Sequence, residues 1–158
     1  PKKPSRITAR KKKWEEVTLE RKMILDIKIE MDRPSVQLTG ENGQVVMIPF
    51  KGSVKGEIFQ GIVEPCGVDT QVLNVAGVRH MSARYMLTGK DNQGQDAHIY
   101  VENNGWVEAD QFSMPFHTVP TFYTDSKALA PYLHRNQFVG EGREEEDGLH
   151  IYFFEIAH

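Results

Sequence analysis

A chain of 158 residues with 39% hydrophobic and 26% charged positions has the composition of one globular domain able to build its own core, which excludes a disordered or collagen-like chain. Its formal charge of −3 is divided unevenly: seven of the 19 basic residues fall in the first thirteen positions, where no acid occurs, leaving 12 basic against 22 acidic residues and a body near −10. Such a surface repels phosphate, so nucleic acid is not expected on the body, and the single cysteine, Cys66, rules out an internal disulfide and fits a reducing cytoplasm.

Residues 1–22 read as a flexible basic arm and 23–158 as one domain. No apolar run approaches the roughly 18 residues that span a bilayer, so no membrane partner is expected. The N-terminus also lacks the apolar core of a secretory signal, although a chain starting at Pro1 leaves a removed leader open.

Beyond the arm, residues 23–31 alternate, with Met23, Leu25, Ile27, Ile29 and Met31 on one face and Asp26, Lys28 and Glu30 on the other, which predicts a half-buried strand. A short continuation follows at 35–39, and Gly40-Glu-Asn-Gly43 predicts a turn into a strand at 45–50. Residues 52–64 predict one long strand whose glycines at 52, 56 and 61 let the sheet bend, and Pro65-Cys-Gly67 predicts a break before a strand at 69–75. Strands are expected at 78–88 and 97–102, with Asn103-Asn-Gly105 as a turn and 108–116 as a loop or lid. Residues 118–124 read as a strand made irregular by Pro120, Asp125 or Ser126 as the cap of a short helix at 127–134, and 137–143 and 149–156 as the closing hairpin.

Eight to ten strands with turn signals every eight to twelve residues, and one short helix in the C-terminal third, predict an all-β fold. Short connections between consecutive strands favour a single antiparallel up-and-down β-barrel, whose closure also removes exposed edges.

Several blocks are similar to a known family. Pro49-Phe-Lys-Gly-Ser-Val-Lys-Gly56, Gly61-Ile-Val-Glu-Pro-Cys-Gly-Val-Asp-Thr-Gln71, Ser82-Ala-Arg-Tyr-Met-Leu87 and His98-Ile-Tyr-Val-Glu-Asn-Asn-Gly105 resemble, in order, blocks of the Domain of Unknown Function 3237 proteins. Pro120-Thr-Phe-Tyr-Thr124, Tyr132-Leu133 and Gln137-Phe-Val-Gly-Glu-Gly142 resemble the family's C-terminal third. The resemblance spans residues 23–156 and implies a small antiparallel barrel, but no reaction. Where the family has Gly-Gly-Ala-Asp-Trp, this chain has Cys66-Gly-Val-Asp-Thr70, which keeps Asp69 and loses the aromatic, and the aspartate before Ala83 is replaced by Ser82.

Asp69, Arg84 and Glu102 lie in these family-like blocks on successive strands, and an arginine between two carboxylates could orient a ligand oxyanion while one acid moves a proton. The competing reading is a structural salt bridge between neighbouring strands. Strand parity does not decide between them, since Ala83, Tyr85 and Leu87 form the more apolar face and would put Arg84 outside an ordinary core. His98, Tyr100 and Glu102 share a face opposite Ala97, Ile99 and Val101; they line a cavity if the barrel holds a ligand and face water if it is filled. Tyr85, His98, Tyr100, Asn104 and His117 are the candidate ligand-binding residues.

The six histidines show no metal-ligand spacing and no phosphate loop follows Gly140-Glu-Gly142, so neither metal nor cofactor is expected. Cys66 reads as a small buried thiol. The expected function is to bind a small organic molecule, and any catalysis would be cofactor-free proton transfer (isomerase, hydratase or lyase chemistry) on a carbonyl compound. A non-catalytic binding or oligomerisation module with a filled barrel is the alternative, and a homo-oligomer is compatible with either.

Overall fold

A computed structural model describes residues 21–156. The basic arm expected at 1–22 therefore lies almost wholly outside the described residues, and the first strand begins at Arg21, two positions before the expected domain boundary.

Nine strands follow one another: β1 (Arg21–Met31), β2 (Val36–Gly40), β3 (Gly43–Lys55), β4 (Phe59–Leu73), β5 (Val78–Asp91), β6 (Asp96–Glu108), β7 (Phe116–Thr124), β8 (Phe138–Glu145) and β9 (Gly148–Ile156). A helical turn, α1 (Ala130–Leu133), lies between β7 and β8. Pairing runs β1-β9-β8-β7-β6-β5-β4-β3, and β1 pairs again with β3, so eight strands close an antiparallel barrel, as the sequence predicts. β2 stands outside the ring as a hairpin on the first half of β3. At the closing seam, β1 meets β9 with its first half and β3 with its second. Gly52 and Gly61 serve close approaches, since a side chain would strike the Lys28 carbonyl at the first and the Thr88 carbonyl at the second.

Four sequence expectations are corrected. The long strand at 52–64 is two strands, because the chain turns at 56–58, where Ile58 folds into the core and hides the turn from a composition signal. Pro65-Cys-Gly67 does not break the chain. It is a bulge within β4, between Val63 paired with Leu87 and Val68 paired with Arg84; strands on both sides hold β4 across it, so Pro65 costs ladder bonds without ending the strand. Cys66 lies exposed on this bulge and not in the core. Asn103-Asn-Gly105 is likewise not a turn, since β6 runs through it to Glu108 in unbroken register with β5.

The two ends of the barrel differ. At one end Leu25, Ile27, Phe59, Val63, Leu87, Ile99, Val101, Phe122 and Phe153 fill the interior, and Leu129 and Leu133 from the α1 segment close it. Each such fully buried side chain contributes roughly 1.5–3 kcal/mol. Ser126 caps the segment, its Oγ accepting from the Leu129 N–H at 3.2 Å. Regular helix covers only Ala130–Leu133 of the expected 127–134. At the other end β6 and β7 are joined by residues 109–115, in the place where a loop or lid is expected, and beneath that loop the barrel is hollow.

Candidate functional site

Alternation along the strands decides what faces this hollow. On β5 the inward row is Arg79, Met81, Ala83, Tyr85 and Leu87; on β6 it is Ala97, Ile99, Val101, Asn103 and Gly105; on β4 it includes Asp69 and Gln71. Toward the helix end these rows are apolar, and polar residues begin halfway up, at Tyr85 and Asn103. The result is a cavity of about 360 Å³. Its walls are chiefly Ile29, Ile48, Phe50, Met81, Leu149 and Ile151, and Phe112 and Met114 of the 109–115 loop border its mouth. The volume falls within the range of small-molecule sites, roughly 300–1,000 Å³.

β8 helps to open this space. Its inward positions opposite β7 are Gly140 and Gly142, and side chains there would collide with Thr118 and the Phe116 ring, both of which line the cavity.

The polar groups of the cavity fall into two sets. The first is a relay across the mouth. Arg79 Nη1 donates to Gln71 Oε1 at 3.3 Å, and Gln71 Nε2 donates to Asp69 Oδ2 at 2.7 Å. Burial pushes the Asp69 carboxyl above its usual value, and the Gln71 hydrogen bond only partly opposes it. The second set has no partner among the described residues. Tyr85 Oη, Asn103 Oδ1 and Thr118 Oγ1 are buried without a hydrogen bond, in residues only 4%, 6% and 6% exposed. Burial, and then the Asp69 charge, raise the Tyr85 phenol far above its normal range, so it stays a neutral O–H donor. Phe50 holds the ring edge-on at 5.2 Å between centroids.

Of the expected catalytic trio, only Asp69 faces the cavity. Arg84 and Glu102 sit one position out of phase with the inward rows and point outward. They pair directly across β5 and β6 and make a 3.4 Å ion pair, with the Arg84 side chain 64% exposed. The expectation that all three border the cavity is therefore corrected, and the two outward residues form the cross-strand salt bridge of the competing reading.

Of the ligand-binding candidates, Tyr85 lines the cavity. His98, Tyr100 and Asn104 share the outward phase of Glu102. His98 stacks its hydrogen bonds on Asp125, with the backbone N–H donating at 2.6 Å and Nδ1 at 2.7 Å from the carboxylate; the backbone bond, then the side-chain bond, hold the Asp125 carboxyl below its usual range. Asn104 Oδ1 lies 3.0 Å from His80 Nε2, and that imidazole stacks on Trp106 at 4.6 Å. His117 is exposed and borders, with Asn104, a groove on the outer wall. Gln71, Arg79, Asn103 and Thr118 are cavity residues that the sequence reading passes over. Parity was the available signal, since the face carrying Ala83 and Tyr85 also carries Arg79, and the face carrying Ile99 and Val101 also carries Asn103. Among the described residues no group of three His, Cys, Asp or Glu side chains is placed to hold a metal ion, and no helix is long and apolar enough to cross a membrane.

The comparisons agree with this architecture. The family model described as "Protein of unknown function (DUF3237)" matches residues 20–156. A UPF0311 protein of Clostridium acetobutylicum is 35% identical over 121 residues, which are 65% of this chain and 73% of the relative. A crystal structure of a protein of unknown function from the same organism superposes with a TM-score of 0.68 at 28% identity, over 87% of this chain and 96% of that one. A β-barrel-like protein from Acinetobacter baumannii also gives a TM-score of 0.68, at 19% identity over 87% and 95% of the two chains, a likeness of fold alone.

Proposed function

This chain belongs to the DUF3237 family, and from that premise we propose that it is a small-molecule-binding barrel whose cavity performs cofactor-free proton transfer on a carbonyl-containing ligand, with Asp69 as the acid–base group. One observation carries the reading: three buried, unpartnered polar atoms, on Tyr85, Asn103 and Thr118, belong to residues lining the same cavity as the buried acid. An unpaired buried polar group costs about 1–3 kcal/mol, and three in one place are readily explained when a ligand supplies their partners.

The chemistry follows from the two sets of groups. A carboxyl raised by burial exchanges protons nearer neutral pH than an exposed one, which is the property required of a general acid or base. Gln71 occupies one of its oxygens and leaves the other for the ligand. The neutral Tyr85 hydroxyl can donate to a carbonyl oxygen on which charge develops, and in an apolar cavity such a donor is worth more than in water. Isomerisation, hydration and elimination beside a carbonyl all use this pair of functions.

Native mass spectrometry of freshly purified protein tests the reading. The expected spectrum shows a small molecule retained by the wild type and retained less by Asp69→Asn and Tyr85→Phe. Bare wild-type chain, with no melting shift across a panel of small carbonyl compounds, overturns it.

A further inference from the structure

Arg79 is the inward-facing arginine, and its surroundings differ from those of the others. Among the described residues, Arg21, Arg33, Arg84 and Arg143 each pair with a carboxylate and the exposed Arg135 donates to the Pro131 carbonyl, whereas Arg79, half-buried at the cavity, forms no ion pair. Its one recorded hydrogen bond spends a single N–H on Gln71 Oε1, out of the five that a guanidinium carries. The one acid of the cavity lining, Asp69, is within reach only through the Gln71 amide. That amide has a fixed orientation, because arginine can only donate: its oxygen must face Arg79 and its NH2 must face Asp69. Gln71 thus keeps acid and base from neutralising each other and leaves the cation at the mouth with free donors.

Resting on the cavity reading above, we propose that Arg79 forms an oxyanion subsite at the cavity mouth, which receives the carboxylate or other singly charged oxyanion of an otherwise apolar ligand. A half-buried guanidinium lacking a carboxylate gains most from an anion that accepts two parallel N–H bonds, the geometry of a carboxylate or sulfonate. The remainder of the ligand lies against Phe50, Met81 and Phe116. Burial raises the Asp69 carboxyl above its usual value, which lessens its repulsion of an anion, and the Gln71 amide stands between it and Arg79. A single charge is specified for two reasons: among the described residues one cation lines the cavity, and the body of the chain is strongly acidic, so a phosphate dianion gains one partner while meeting the repulsion of that body.

Two fluorescent probes with the same ring system separate the anion from the apolar body. These are 8-anilinonaphthalene-1-sulfonate and the uncharged N-phenyl-1-naphthylamine, each titrated into the full chain. Arg79→Met is expected to weaken the sulfonate about tenfold and the uncharged probe less than twofold; Arg79→Lys, which keeps the charge but not the paired donors, is expected to fall between. Arg84→Met on the outer wall should alter neither, and unchanged melting of the Arg79 variants establishes that they fold. Equal changes for both probes, or none for the sulfonate, overturn the subsite and leave the cavity standing. Failure of the wild type to bind either probe removes the cavity reading and the subsite with it.

Discussion

The helix end of the barrel and its hollow end both bury polar groups, but they treat them in opposite ways. At the helix end Asp91 accepts from the backbone N–H groups of Gln93 and Gln95 at 2.9 and 3.0 Å and from Ser126 Oγ at 2.7 Å. Thr124 Oγ1 donates to the His98 carbonyl at 2.6 Å and accepts from the Ser126 N–H at 3.0 Å. The bonds to Asp91 from Ser126, then from the Gln95 and Gln93 N–H groups, hold its carboxyl below its usual range. At the hollow end Tyr85, Asn103 and Thr118 have nothing, and the carboxyl of Asp69 is pushed up. One chain, with one supply of strands and turns, completes its hydrogen bonds where it needs stability and leaves them open where it has space. Incomplete polar satisfaction confined to one end is what the proposed site would produce, whereas poor packing has no reason to sort it by end.

The largest expected effect tests the packed end. Ile99 is fully buried among Leu87, Val101 and Phe153 in the core cluster, so Ile99→Ala removes packing that cannot collapse around it. A loss of about 2–5 kcal/mol is expected in denaturant unfolding. A loss below about 1 kcal/mol would mean that this end is as loose as the other, and the contrast would be gone.

Asp69→Asn addresses the hollow end through pH. Because burial raises the carboxyl in the folded state, the folded chain holds that proton more tightly than the unfolded chain does. The group therefore costs no stability below its ordinary value of 3.8, and the cost grows as pH rises from there through the raised value. Asp69→Asn should accordingly be more stable than the wild type at neutral pH, with the two stability curves converging in acid. Asp91, Asp125 and Asp147 are shifted the other way, and their contributions weaken as pH falls; being common to both proteins, they cancel in the difference. An Asp69→Asn variant less stable than the wild type at neutral pH, with the gap closing in acid, would mean that Asp69 is held as a stabilised anion.

Tyr85→Phe deletes a hydroxyl that has no partner. Stability should stay within about 1 kcal/mol of the wild type or rise, because a buried group without a hydrogen bond is removed. Ligand retention should fall about tenfold, the usual value of one hydrogen bond of about 1.4 kcal/mol. Loss of stability with retention unchanged would show that the hydroxyl serves the fold.

The fold was largely legible in the sequence because hydrophobic alternation and turn residues report local backbone geometry. The run from Met23 to Met31, the Gly40-Glu-Asn-Gly43 turn and the closing hairpin are found close to where the pattern puts them. What failed were two turn signals overridden by neighbouring strands, at Pro65-Cys-Gly67 and Asn103-Asn-Gly105, and one turn without a signal at 56–58. Those errors carried over to the site. Reading Asn103 as a turn residue took it off the strand face that Ile99 and Val101 define, and the bulge before Val68 sets the register that places Asp69 beside Ala83 and not beside Arg84. Asp69 and Tyr85 were recognisable as chemistry-bearing residues; which neighbours share their cavity depends on register and closure, which no local window of sequence contains.

The smallest expected effect belongs to Arg84, and it makes the comparison sharper because Arg84 stands only five residues from the inward-facing Arg79 on the same strand. Both are arginines of β5, but they have opposite phase: Arg79 lines the cavity, while Arg84 meets Glu102 at 3.4 Å on a surface open to water. An exposed ion pair gains little Coulomb energy in high dielectric and must hold two long side chains in one arrangement, so such pairs are worth about 0.2–1 kcal/mol. Arg84→Ala should therefore lower stability by no more than that, with the loss shrinking further as salt is added, since the Debye length falls from about 10 Å at 0.1 M to about 3 Å at 1 M. Probe binding in the cavity should be unchanged, in contrast to Arg79→Met. A tenfold loss of binding in Arg84→Ala, at undiminished stability, would mean that the outer wall of β5 and β6 takes part in ligand recognition, and the division between the proposed interior site and a structural exterior would have to be abandoned.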